Sequence, residues 1–307
     1  MKTIEFDSAS GTGKKAAGCI WPVENSKATI QICHGMAEYI NRYEEMIEVL
    51  NKAGYTVCGM DMQGHGRSYE LNREPKGFFG EGKDAFRSIL EDNLMFHDLV
   101  AKTTGQSPSI LFGHSMGSFV VRAMYSDSRY SVNYDAFIFA STKGPEPLAG
   151  IGTALAKLIC LLGRSRKPGR LLSVMSFGSY NKKIPNLKTS YDWLSVIEKN
   201  VTEYIQDPMC GFMFTNKGYY DLFKLLRFIQ DKKTVQGISK KPCLFLYGDD
   251  DPVGSYGAGV RKVIELYKAQ GAPVESIDFG PYRHELMREP IKNDYFKAVV
   301  DYADRFS

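Results

Sequence analysis

The chain reads SILFGHSMGSFVVRAMY from Ser109 to Tyr125, and this stretch decides the predicted fold. The run SILF is typical of a buried strand, and the residues from Phe119 onward have the pattern of a helix. Between them stands the pentapeptide Gly113-His114-Ser115-Met116-Gly117. A strand–turn–helix of the form G-x-S-x-G presents its serine on a tight turn, where larger flanking side chains would collide with backbone. The stretch therefore predicts that Ser115 is a nucleophile supported by Gly113 and Gly117.

Short apolar runs alternate with longer helical patterns on both sides of this stretch. Because nearly continuous apolar runs are typical of strands covered on both faces, they indicate an α/β fold with a mostly parallel sheet and helices on both faces. Two antiparallel edge strands are expected around Ile4 and Cys19–Trp21. The buried strands are predicted at Thr29–Cys33, Thr56–Met60, Ser109–Phe112, Ala136–Ala140, Cys243–Tyr247 and Val274–Phe279. The helices between them are predicted at Arg42–Ala53, Ala85–Lys102, Phe119–Tyr125, Tyr256–Ala269 and Ile291–Phe306.

About a hundred residues separate the strand that ends at Ala140 from the strand that begins at Cys243. An insertion of this length in an α/β sheet is more often a lid than a simple loop. The sequence thus predicts a core formed by residues 1–141 and 241–307, with a helical cap at 142–240. The cap helices are predicted at Ile151–Leu162, Arg170–Met175, Asp192–Tyr204 and Gly218–Gln230.

The charge of the chain is unevenly distributed. With 43% hydrophobic and 24% charged residues, the 307-residue chain has an ordinary globular composition, and its net charge of +4 is too small to suggest nucleic acid. From Lys143 to Lys241, 17 Lys/Arg and 7 Asp/Glu give a net charge of +10, whereas the remainder has 22 and 28 and a net charge of −6. This segment is either a solvated helical surface or one that approaches anionic lipid. The basic cluster is Arg164, Arg166, Lys167 and Arg170.

No segment is predicted to span a membrane. The longest apolar stretch in mid-chain, Ile151–Gly163, has 13 residues and contains Lys157, whereas a spanning helix needs about 20. The first ten residues have no apolar run typical of a secretory signal. Six widely spaced cysteines without a C-x-x-C pair predict free thiols, with neither disulfides nor a zinc site, in a reducing cytoplasm.

A serine nucleophile needs a base, and the base needs a carboxylate partner. In hydrolases with a G-x-S-x-G turn these follow in the order serine, acid, histidine. Only one of the five histidines, His284, lies after a further strand and a carboxylate-rich loop. The acid is expected directly after the strand CLFLY, where composition alone does not choose among Asp249, Asp250 and Asp251.

Two backbone N–H groups are expected to bind the developing oxyanion. One belongs to Met116, the residue after the nucleophile, and the other to Met36, in the string His34-Gly35-Met36 after an early strand. Gly35 lets the backbone approach the substrate, and His34 is expected to be structural. No metal ion or organic cofactor is needed for this chemistry.

Several strings resemble the monoacylglycerol lipase and lysophospholipase branch of the α/β-hydrolase superfamily. They are ICHGMAEYINRYEEM, MDMQGHGRS, LFGHSMGS and GDDDPVG, with YDWLS and DPMCGF in the cap. The resemblance implies an α/β-hydrolase fold and assigns the acid to Asp251, three residues after the glycine, and the base to His284. It also maps the oxyanion donors onto Met36 and Met116. The sequence departs from the family at Gln63, where arginine is common, and at Val196-Ile197, where a charged pair is common.

The expected function is hydrolysis of the carboxylic ester of a monoacyl lipid, either monoacylglycerol or lysophospholipid, through an acyl-enzyme. Phe177, Phe212 and Phe214 in the cap are candidates for contact with the acyl chain, although apolar residues at helical spacing more often form core. A small-molecule carboxylesterase or thioesterase and a non-catalytic binding module remain alternatives. A prolyl aminopeptidase is disfavoured by the string HGMAEY and the basic cap. The oligomeric state is not indicated.

Overall fold

An eight-stranded sheet runs through the protein, and the computed structural model describes all residues from 1 to 307. Its strand order is β1-β2-β4-β3-β5-β6-β7-β8, with antiparallel pairing at β1–β2 and β2–β4 and parallel pairing elsewhere. The predicted α/β fold with a mostly parallel sheet is therefore confirmed. The strands are β1 Lys2–Asp7, β2 Lys15–Trp21, β3 Thr29–Cys33, β4 Thr56–Asp61, β5 Pro108–His114, β6 Ala136–Ala140, β7 Cys243–Tyr247 and β8 Val274–Asp278.

The two ends of the sheet differ from the expectation. The strand β2 is an inner strand between β1 and β4, so only β1 is an edge on that side. The strand β8 forms the other edge, and its sequence VESID leaves four of five residues exposed. The prediction of a strand covered on both faces was wrong here. A strand with only one neighbour has no need for a continuous apolar run.

Helices cover both faces of the sheet. The larger hydrophobic cluster includes residues of α3, α4, α11 and the segment between β6 and β7, while a second cluster packs α1 and α12 on the opposite face. The α-helices are α1 Glu44–Lys52, α2 Gly66–Asn72, α3 Ala85–Thr104, α4 Met116–Tyr125, α5 Ser128–Ser131, α6 Ala149–Ile159, α7 Arg170–Phe177, α8 Glu198–Gln206, α9 Asn216–Gln230, α10 Lys232–Gln236, α11 Ala258–Ala269 and α12 Lys292–Ala303.

The chain between β6 and β7, called the insert below, contains α6 to α10 and no strand. A kinked turn at Cys160–Arg164 follows α6, because Leu162 and Gly163 depart from helical backbone angles. The single helix expected at Asp192–Tyr204 is interrupted: a 3-10 turn at Asp192–Leu194 is followed by extended backbone at Ser195 (φ −152°, ψ 150°) before α8 begins. Arg283 stabilises this break, because its guanidinium donates to the carbonyls of Asp192 and Ser195.

Two further helix boundaries differ for local reasons. The helix α11 begins at Ala258 rather than Tyr256, because Tyr256 and Gly257 have positive φ angles of 56° and 73°. The helix α2, which was not among the predicted helices, begins at Gly66 within the string QGHGRS. All six cysteines are free thiols, and five of them are buried. No helix has the length and apolarity required to cross a bilayer.

Candidate active site

Ser115 occupies a strained turn between β5 and α4, with φ 52° and ψ −121°. The two glycines of the pentapeptide allow this turn. A Cβ atom on Gly117 would lie 2.0 Å from the carbonyl oxygen of Cys33, and one on Gly113 would lie 2.5 Å from the carbonyl oxygen of Gly117. Only glycine therefore lets the start of α4 pack against the end of β3, which leaves the serine at the wall of a cavity.

His284 and Asp251 form a buried pair. The imidazole Nδ1 lies 2.9 Å from Asp251 Oδ2, and the backbone N–H of Val253 donates to Oδ1 at 2.8 Å. Burial is the largest single effect and favours the neutral imidazole, but the charge and hydrogen bond of Asp251, together with the charges of Glu285 and Glu38, outweigh it and raise the pKa of His284. With Nδ1 donating to Asp251, Nε2 is free to accept a proton, as a general base must.

The other two aspartates after β7 have different surroundings. Asp249 forms an exposed ion pair with Arg261 at 2.8 Å, and the side chain of Asp250 is exposed. Asp251 is the one of the three whose carboxylate contacts His284. This is the residue to which the resemblance assigned the acid.

The loop after β3 carries an unpaired N–H group at Met36. On either side of it, the N–H of Gly35 donates to the Glu38 carboxylate and that of Ala37 donates to His65 Nε2 at 3.2 Å. Met116 is the first residue of α4, where N–H groups have no partner inside the helix. Both methionines line the cavity beside Ser115.

The remaining histidines near the site are structural or neutral. His34 is fully buried and accepts from the N–H of Met62 at 2.9 Å, as a structural residue would. The ring of His114 lies 4.9 Å from that of His284. Burial and repulsion by His284 lower the pKa of His114 to about 3, so it stays neutral at physiological pH.

The cavity has a volume of about 400 Å³, and 20 of its 33 lining residues are hydrophobic. Ser115, His284, Phe177 and Phe212 line it. Phe214 does not: its side chain is fully buried and packs against the rings of His65 and Phe79. The expected contact of Phe214 with substrate is therefore not supported, because this residue belongs to the core beneath the site.

Two carboxylates at the cavity wall were missed by the sequence reasoning. Glu38 and Glu285 both line the cavity and both bind the guanidinium of Arg42. The spacing of Glu38 and Arg42, four residues apart, was a weak signal for such a pair. Nothing local pointed to Glu285, which is 243 residues from its partner.

The fold and the serine turn define this chain as an α/β hydrolase. Residues 24–291 match the Hydrolase_4 family, described as serine aminopeptidase, S33, and the chain belongs to that family. The expected membership of the monoacylglycerol lipase and lysophospholipase branch and the predicted ester-hydrolase class are confirmed.

Two curated relatives match along most of their length. The chain is 28% identical to a monoacylglycerol lipase of Mycolicibacterium smegmatis over 97% of this chain and 94% of that protein. It is 24% identical to the phospholipase YtpA of Bacillus subtilis, over 93% and 98% respectively.

A solved structure supports the fold independently. The crystal structure of a thermostable carboxyl esterase from Bacillus coagulans, in complex with glycerol, superposes with a TM-score of 0.91 at 24% identity and covers 99% of this chain and 97% of that one.

Proposed function

We propose that the protein hydrolyses the carboxylic ester of monoacyl lipids through a Ser115–His284–Asp251 triad. Ser115 attacks the ester carbonyl while His284 accepts its proton, and Asp251 holds the imidazole in the correct tautomer. The N–H groups of Met36 and Met116 bind the tetrahedral oxyanion, each contributing about 3 kcal/mol to transition-state stabilisation. His284 then activates a water that releases the fatty acid from the acyl-enzyme. The His284–Asp251 hydrogen bond within the cavity that contains Ser115 is the observation that carries this proposal.

The charges at the cavity wall favour a substrate without charge. Glu38 and Glu285 are paired with Arg42, and Glu146 is paired with Lys143 at 3.0 Å. An anionic phosphate would meet three carboxylates and one lysine, Lys143, at the wall, and an amine would find none of the carboxylates unpaired. We therefore infer that a monoacylglycerol is preferred over a lysophospholipid and over the amino-terminal peptides that the family's description suggests.

We also propose that residues 142–240 act as a cap that contacts lipid surfaces. The region from α6 to α7 exposes large apolar side chains, among them Leu161 (74% exposed), Leu162 (70%) and Val174 (69%). The basic residues Arg164 and Lys167 are exposed beside them. Apolar side chains next to cations suit an anionic membrane interface. The cytoplasmic location and the absence of a cofactor stay predictions.

Fatty-acid release from a panel of esters tests the activity. The panel holds a monoacylglycerol, a lysophosphatidylcholine and a short-chain p-nitrophenyl ester, with Ser115→Ala as the blank and Ser88→Ala in α3 as the matched control. We expect release from the monoacylglycerol to dominate, to vanish in Ser115→Ala and to persist in Ser88→Ala. Activity confined to the short ester would indicate a small-molecule esterase. No activity above the blank would indicate a binding module, and activity retained by Ser115→Ala would place the nucleophile elsewhere.

A further inference from the structure

Arg42 lies buried between the two loops that flank Ser115. Its Nε atom donates to Glu38 Oε2 at 3.1 Å, and its Nη2 atom donates to both carboxylate oxygens of Glu285, at 2.7 and 2.9 Å. Arg42 is 7% exposed, and both carboxylate residues are 2% exposed. A guanidinium matches two carboxylates in this planar arrangement, whereas an ammonium group cannot.

Each carboxylate lies next to a group that the proposed reaction needs, Glu38 through a hydrogen bond and Glu285 through the backbone. Glu38 Oε1 accepts from the N–H of Gly35, which precedes the oxyanion donor Met36, and from the Tyr43 hydroxyl at 2.7 Å. Glu285 directly follows the base His284. Contacts through Glu38 and Arg42 to Glu285 thus join the loop after β3 (residues 34–39, the oxyanion loop) to the loop after β8 (residues 279–291, the histidine loop).

The insert supports the same connection from the other side. The Tyr204 ring packs 4.9 Å from the Arg42 guanidinium, and its hydroxyl donates to the carbonyl of Ala37 at 3.1 Å. The N–H of Glu285 donates to the carbonyl of Leu194 at 2.8 Å. Arg42 therefore lies at the point where the oxyanion loop, the histidine loop and the insert meet.

We propose that Arg42 is a positioning residue, which fixes the Met36 N–H group relative to His284 through its ion pairs with Glu38 and Glu285. This inference rests on the proposed function, because it assigns Arg42 to the same site. Burying three charges is costly, and such networks often add little net stability over an apolar replacement. The geometry that the network imposes, more than stability, accounts for its presence beside the reacting groups.

The network also sets the charge around His284. The ionisable groups that face this imidazole are Asp251, Glu285, Glu38 and His114. Because the carboxylates among them stabilise the imidazolium, they raise the pKa of His284. The positive charge of Arg42 opposes this effect. Removing Arg42 should therefore raise the pKa of His284, and removing the charge of Glu285 should lower it.

Three variants separate position from charge. Arg42→Met removes both the charge and the hydrogen bonds, Arg42→Lys keeps the charge without the bidentate contact, and Glu285→Gln removes one carboxylate. Arg122→Met is the matched control, because Arg122 is 2% exposed and binds Thr142 and a backbone carbonyl but no carboxylate. The measurements are kcat and KM across pH, and the NMR titration of His284 in each folded variant.

We expect Arg42→Met and Glu285→Gln each to lower kcat about 10- to 100-fold while KM changes little. The pKa of His284 should move in opposite directions, upward in Arg42→Met and downward in Glu285→Gln. In Arg42→Lys, the pKa of His284 should stay near its wild-type value, whereas kcat should remain lowered. Arg122→Met should leave the pKa unchanged.

Two results would overturn the inference about Arg42. One is an Arg42→Met protein with unchanged kcat and unchanged His284 pKa that only unfolds at a lower temperature. The other is a set of pKa shifts of the same sign in Arg42→Met and Glu285→Gln. An inactive wild-type protein would contradict the proposed function instead. The NMR titration does not depend on activity, so it would still test Arg42 in that case.

Discussion

At the scale of single residues, the surroundings of a carboxylate distinguish three candidates for the acid that pairs with His284. Asp249, Asp250 and Asp251 follow one another after β7, and no local pattern ranks them. In the structure Asp251 is buried and contacts His284, whereas Asp249 contacts Arg261 near solvent. An exposed ion pair of this kind contributes about 0–1 kcal/mol, so its loss should be tolerated.

This difference predicts unequal effects of the same substitution. Asp251→Asn should lower kcat about 10⁴-fold, because the amide favours the wrong imidazole tautomer. Asp249→Asn should change kcat by less than about twofold, since its carboxylate does not contact the histidine. Steady-state kinetics on one ester, with both variants checked for folding by circular dichroism, measures the contrast. A larger loss in Asp249→Asn would show that the acid is assigned to the wrong residue.

The residues of the site were predictable to different degrees. The strand–turn–helix at Ser115 was a local signal, and the order of motifs along the chain selected His284. The Arg42 network could not be found in this way, since its partners come together only in the folded chain. Phe214 shows a second limit. An apolar side chain has the same sequence signal whether it lines a cavity or fills the core beneath it.

At the scale of elements, the histidine loop is fastened to the insert by a buried carboxylate. Glu289 Oε1 accepts from the N–H groups of Val196 (2.9 Å) and Arg283 (3.3 Å), while its Oε2 has no partner. Burial raises the pKa of Glu289 to about 7. Because the folded state then binds a proton more tightly than the unfolded state does, this group makes the protein less stable as the pH rises from about 4.5 to 7.

Glu289→Gln should therefore flatten the dependence of stability on pH. Glu289 should contribute to a higher Tm of the wild-type protein at pH 5.5 than at pH 8, and the difference should shrink in Glu289→Gln, whose amide cannot ionise. Thermal unfolding at both pH values measures it. Glu275→Gln is the matched control, because Glu275 is an exposed partner of Arg305. An equal slope in wild type and Glu289→Gln would contradict the assigned protonation.

The elements themselves were predictable where apolar runs have sharp polar boundaries. The strands at Thr29–Cys33, Ala136–Ala140 and Cys243–Tyr247 coincide with the predicted ranges. The exposure of β8 was not predictable, because edge position depends on the order of strands in the whole sheet. The interruption of the helix at Ser195 was not predictable either, because the contact that stabilises it comes from Arg283, far away in the sequence.

At the scale of the whole molecule, apolar exposure and positive charge coincide in one part of the insert. The region from α6 to α7 exposes Leu158, Leu161 and Leu162, and Arg164 and Lys167 are exposed next to them. Arg166 differs from these cations, because it is paired with Glu74 and Glu81. The part of the basic cluster available to a lipid surface is thus smaller than the sequence suggested.

Binding to anionic vesicles should depend on salt and on these cations. The double variant Arg164→Gln, Lys167→Gln should partition about 30-fold less strongly to vesicles containing phosphatidylserine, because each of the two cations near such a surface contributes about 1 kcal/mol. Lys52→Gln on α1 is the control outside the insert. Sedimentation with vesicles at low and high salt measures the effect. Partitioning that ignores both salt and the double variant would refute an electrostatic contact with lipid.

Two parts of the insert contact the site in different ways. Residues 192–211 hold both loops of the site, through bonds such as Gly211 N–H to the Ala37 carbonyl and Glu285 N–H to the Leu194 carbonyl. Residues 148–177 contribute cavity wall, including Leu148, Met175 and Phe177. Substitutions in the second part can reshape what the enzyme accepts while leaving the reacting groups in register. Directed evolution toward new esters therefore has a natural segment to randomise, and a neighbouring one to leave alone.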